Sequence, residues 1–170
     1  MKHNIIILLL LTLLLSGCGI YNLGGFVMPD NLEFLAVVES LDTPEKIGNY
    51  MKENFTYKRH YFYAPSPYML WKLREGDCND FTTFGIFVAN YHGYITYQIN
   101  IWLERIKDTH YLGVYIENNK YTYSSNMAYY PIYVDTFEEV VRDWEGNQSK
   151  YQVKSYEVYD YDLNIIETGD

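Results

Sequence analysis

At His92-Gly93 the period of the sequence changes. Before this point apolar residues recur at helical spacing. After it, "YITYQINIWL", "HYLGVYIE" and "KYTYSSNM" alternate apolar and polar positions and are rich in β-branched and aromatic residues. A chain that groups helices first and strands afterwards lacks the strand-helix alternation of a parallel sheet. It predicts an α+β fold with mostly antiparallel strands. The pair Asn118-Asn119 joins the second and third segments as a hairpin. "TFEEVVRDW" inserts one helix, capped by Asp135 or Thr136, and "YQVKSYEVYDYDLNII" adds one or two final strands. The 20 tyrosines fit this reading, because tyrosine forms strands well and its ring tolerates a half-buried surface.

The helical half reads as four helices and one extended connection. "NLEFLAVVESL" forms a short helix, and Thr43 caps a second that has Pro44 at its first position and runs to Asn54, with Ile47, Tyr50 and Met51 at helical spacing. "FTYKRHYFY" alternates but is stopped by "APSPY", so an extended connection is expected there. "SPYMLWKLREG" forms a short helix leading to a cysteine. From Cys78 to Tyr91, Phe81, Phe84, Gly85 and Val88 fall on one helical face, which predicts a buried helix closed by Gly93.

The N-terminus carries a different signal. Lys2 and His3 precede "NIIILLLLTLLLSGC", an apolar run with the length of a signal-peptide core, too short to span a bilayer as a helix. Leu15-Ser16-Gly17-Cys18 resembles the lipobox of bacterial lipoproteins, which implies cleavage before Cys18 and a lipid on that residue. The expected organisation is residues 1–17 as signal peptide, 18–30 as a Gly- and Pro-containing tether, and 31–170 as one domain of ordinary size. The domain would then lie outside the cytoplasm, held to the membrane through Cys18. A net charge of -9 argues against nucleic acid as a partner.

With Cys18 acylated, Cys78 has no intramolecular partner and is a free thiol in an oxidising compartment. Its neighbourhood, "LREGDCNDFTTFGIF", gives it a role. Asp77 reads as the N-cap and Asp80 reaches back to the cap amide, which puts Cys78 in the first turn. The helix macrodipole there lowers a thiol pKa and unpaired amides can hold an oxyanion, whereas the two aspartates oppose the thiolate, so an imidazolium partner is called for. His92 lies at the far end of the same helix, about 20 Å away. His60 sits in a basic aromatic stretch and reads as a surface residue.

In this order, "EKIGNYMKENFTY", "GDCNDFTTF", "GYITYQI" and "THYLGVY" resemble the transglutaminase-like domain of the papain-like cysteine protease superfamily over roughly Thr43 to Asn126. The resemblance implies Cys78 as nucleophile and His110 as general base. The family usually places an aspartate on the strand after the histidine strand; this chain offers Ser124, Ser125 and Asn126. A two-residue hairpin loop would put Ser125 on the face of the histidine and a three-residue loop Asn126. Asn126 is the expected orienter, since an amide oxygen can accept the imidazole hydrogen.

Metal-ligand spacings, a calcium loop, glycine-rich phosphate loops and G-x-S-x-G are not found in the sequence, and no cofactor or metal is expected. Two functions fit. One is a surface-anchored thiol hydrolase or acyltransferase acting on peptide, protein or peptidoglycan amides; the other is an inactive transglutaminase-like binding or structural lipoprotein.

Overall fold

A computed structural model describes residues 28–59, 65–104 and 108–170. The signal peptide, Cys18, all but the end of the tether and His60 lie outside the described residues. Among the described residues, five helices and eight strands follow in the order α1 (Leu32–Ser40), α2 (Pro44–Asn54), β1 (Thr56–Tyr57), α3 (Pro67–Leu73), β2 (Glu75–Gly76), α4 (Cys78–Tyr91), β3 (Thr96–Leu103), β4 (Thr109–Glu117), β5 (Lys120–Ser125), β6 (Ala128–Val134), α5 (Phe137–Asn147), β7 (Val153–Tyr159) and β8 (Ile165–Gly169). The larger sheet has the order β6-β5-β4-β3-β7-β8, with every neighbouring pair antiparallel. The expected α+β arrangement is the observed one.

Local chemistry accounts for the boundaries. Thr43 accepts from the Lys46 N–H with Pro44 behind it, and Thr136, rather than Asp135, caps α5 in a reciprocal box with Glu139. Asn118 and Asn119 both take left-handed backbone (φ 54° and 61°), as a two-residue hairpin of the favoured twist requires.

One element departs from the sequence reading and another goes beyond it. The connection after α2 is not merely extended: Thr56–Tyr57 pairs in parallel with Glu75–Gly76. The stretch "AYYPIYV" is a full strand, although Pro131 argues against one, because β6 is an edge and a residue without an N–H is tolerated there.

Both faces of the sheet carry a helix, and β4 alternates between the two cores. Tyr115 joins Phe81, Phe84 and Val88 of α4, together with Phe34, Ile47, Met51 and Leu70 from the first three helices. Leu112 and Val114 join Val140, Val141 and Trp144 of α5, with Ile99, Ile101, Tyr123 and Val158. Each such side chain, fully removed from water, is worth about 1.5–3 kcal/mol.

Helix α4 is seated at two points. Near its middle, Gly85 admits the Tyr115 hydroxyl, which is hydrogen-bonded to Ser124 Oγ at 2.8 Å; a Cβ on Gly85 would stand 2.5 Å from that hydroxyl. At its C-terminus the His92 Nε2 lies 2.8 Å from the Val38 carbonyl of α1. His92 is a structural clasp.

Candidate active site

The N-terminus of α4 is built by the motif that contains the cysteine. Asp77 accepts from the amides of Asn79 and Asp80, while Asp80 Oδ2 accepts from the Asp77 N–H at 2.7 Å. Gly76 permits this closure, since a Cβ there would meet Leu70 at 2.7 Å and Asp80 at 2.9 Å. The approach to Cys78 is held by the short parallel pair: Thr56 N–H donates to the Arg74 carbonyl and Lys58 N–H to the Gly76 carbonyl, each at 2.8 Å. Cys78 therefore stands in the first turn of α4, and its own N–H is not used by the cap.

The sheet supplies the other half. Asp108 Oδ1 accepts the Thr109 N–H at 3.0 Å and pairs with Arg59 at 2.7 Å, fixing the entry into β4. The next residue is His110. Cys78 and His110 line one groove of about 520 Å³, with Tyr57, Asp108, Trp144 and Tyr151 around them. The backbone amides of Tyr111, beside His110, and of Asn79 lie near enough to the Cys78 sulfur to favour its thiolate. Helix start and strand start thus meet at the thiol.

The imidazole is gripped from the face of α5. Its ring lies flat on Trp144, with centroids 4.9 Å apart and planes 16° from parallel. Nε2 is 2.9 Å from Ser125 Oγ, and that same oxygen accepts the Trp144 indole N–H at 3.2 Å. Nδ1 makes no hydrogen bond among the described residues, and Cys78 and His110 share the groove without a hydrogen bond between them.

Asn126, expected behind the ring, is not its partner. The hairpin has the two-residue loop, Glu117 faces Lys120 and Leu112 faces Ser125, so Ser125 shares a sheet face with Leu112 and His110. Asn126 lines the groove but occupies the following turn with φ 50°, and its Oδ1 is buried with no hydrogen-bond partner among the described residues. A three-residue loop would place Asn126 behind the ring; the observed two-residue loop places Ser125 there. Nothing in the spacing of Trp144 within its helix points to the histidine.

Electrostatics also corrects the expected low thiol pKa. Burial, then the carboxylates of Asp77 and Asp108, push the Cys78 thiol up to about 11, against the two amides that favour the thiolate. Burial pushes the His110 imidazole down to about 4, with Asp108 opposing. Desolvation outweighs the helix terminus, so the thiol and the imidazole that share the groove are both neutral at rest. Among the described residues, no group of three or more histidine, cysteine or acidic side chains is placed to hold a metal ion.

No family model matches the sequence, and no curated protein matches it either. Solved structures do. LapG of Legionella pneumophila in its calcium-bound form superimposes with a TM-score of 0.51 at 12% identity, covering 79% of this chain and 78% of that one. The EGTA-treated form gives 0.50 at 11% identity, covering 74% and 72%. Likeness at this identity is one of fold: the chain has the α+β fold of the transglutaminase-like, papain-like type.

Proposed function

We propose that this protein is a thiol hydrolase or acyltransferase that opens peptide or cell-wall amide bonds at Cys78, with His110 as its base. One observation carries the reading: a cysteine in the first turn of a helix shares a groove with a histidine whose far nitrogen is already engaged. Fold likeness to LapG, a bacterial cysteine protease of transglutaminase-like type, adds support.

In this mechanism the substrate carbonyl enters the groove and its oxygen takes the spare Cys78 N–H, where the helix terminus favours negative charge. The thiol proton passes to His110 Nδ1 as sulfur attacks the carbonyl carbon. The imidazolium returns that proton to the departing amine, leaving a thioester on Cys78. Water or a primary amine, deprotonated by Nδ1, then releases the acyl group and restores the thiol. Because the resting pair is neutral, proton transfer belongs to the attack rather than preceding it.

A lipid on Cys18 would hold the domain at the outer face of a membrane, close to peptide and peptidoglycan amides. The neutral pair and the serine in the third position favour a second reading, a binding module without turnover. Incubation with amide and thioester substrates, followed by intact mass spectrometry, separates the two. An acyl adduct on the parent that is missing from Cys78→Ala supports the enzyme; its absence with every acyl donor supports the binding module.

A further inference from the structure

We infer that Ser125 holds His110 at rest in the tautomer that carries its proton on Nδ1, so that the hydroxyl acts as a tautomer gate for the site. Two groups meet at Ser125 Oγ. The Trp144 indole is a donor only and takes one lone pair, at 3.2 Å. His110 Nε2, at 2.9 Å, is the only other hydrogen-bond partner of this oxygen among the described residues, and Ser125 is buried.

Two proton arrangements are open. In the first, the serine hydroxyl donates to Nε2, so the indole N–H, the hydroxyl and Nε2 are all satisfied and the ring hydrogen sits on Nδ1. In the second, Nε2–H donates to Oγ, which then accepts twice while its own hydrogen has no acceptor. A buried hydroxyl left without an acceptor is costly enough to favour the first arrangement by about tenfold or more. The direction of the chain is therefore indole to hydroxyl to imidazole.

A carboxylate in the same place would accept only and would fix the opposite tautomer. Serine can donate as well as accept, and the indole above it uses part of its accepting capacity. To take a proton at Nδ1 the ring must first hold its hydrogen on Nε2, with the Ser125 hydroxyl turned away. The gating of turnover rests on the amide-cleaving reading above; the tautomer itself does not.

Nitrogen NMR of the full chain labelled with 15N-histidine reads the tautomer directly at neutral pH, with His110→Gln identifying the signals. The parent should show a protonated Nδ1 and an unprotonated Nε2. Ser125→Thr, which keeps the hydroxyl, should retain this pattern, and Ser125→Ala should lower the Nδ1–H to Nε2–H ratio at least about threefold. A parent with its proton on Nε2, or a ratio that Ser125→Ala leaves unchanged, overturns the inference. Neither result depends on acylation of Cys78, so failure of the gate and failure of the enzymatic reading are distinguishable.

Discussion

The neutral resting pair makes a quantitative claim about how Cys78 reacts with iodoacetamide. Raising a thiol from the ordinary 9.0 to about 11 lowers its thiolate fraction at neutral pH by about a hundredfold. The thiolate that does form is the stronger nucleophile, because nucleophilicity rises with pKa along a slope of about 0.4–0.5, which returns roughly a factor of ten. The folded protein should then alkylate at Cys78 about tenfold more slowly than the same chain in denaturant, before any steric shielding by the groove. The shape of the profile is the firmer test. The rate constant should climb through pH 9, where a free thiol levels off, and keep rising toward the raised pKa of about 11. His110→Ala should leave the neutral-pH rate unchanged or raise it, since an uncharged imidazole gives the thiolate no cation and removing the ring admits water. A plateau below neutral pH, together with a large loss of rate in His110→Ala, would refute the reasoning by showing a preformed thiolate-imidazolium pair.

Three further outcomes are expected. His110 is held at about 4, below its ordinary 6.5, so the unfolded chain binds more protons in that window. Stability is then fully present above pH 6.5 and lost as the pH falls toward 4; denaturant melts should show an acid loss of about 3 kcal/mol that His110→Gln flattens. Gly85→Ala forces a methyl against the Tyr115 hydroxyl, 2.5 Å away, and should cost about 1–3 kcal/mol in chemical denaturation, while Ala89→Gly, at a fully buried position on the same helix, should cost about 1 kcal/mol or more through backbone freedom and lost packing. Cys18→Ser should release the protein from the membrane fraction or leave an unprocessed precursor; unchanged membrane retention with normal processing would count against lipidation.

Much of the architecture could be read from local chemistry. The Asp77-Asp80 box, Pro44 behind Thr43, Pro67 behind Ser66 and the paired asparagines each solve a backbone problem within four residues, so sequence is enough to place them. The position of Cys78 at a helix start follows from the same chemistry. What escaped is set by partners far along the chain. Pro131 sits in a strand because the sheet ends there, and Trp144 reaches His110 only because α5 crosses the face onto which Leu112 and Val114 point. The choice between Ser125 and Asn126 turned on a single residue of loop length, and a strand of period two magnifies that into opposite faces. The raised thiol pKa escapes the sequence for the same reason, since burial depends on which elements close over the site and a helix terminus is visible in sequence while a closed groove is not.

The strand order has a consequence for how this protein breathes. His110 is on β4 and Ser125 on β5, so each of these strands is hydrogen-bonded on both sides, while the sheet ends in β6 and β8. Strand β8 is short, mostly exposed and carries Ile165 and Ile166 at its surface. Amide exchange should therefore run fast along β8 and slow along β3 and β4, the former through local fraying and the latter only through global opening. The C-terminal edge can open and close many times without disturbing the distance between imidazole and hydroxyl, so a protease could trim that edge before the site loses its geometry.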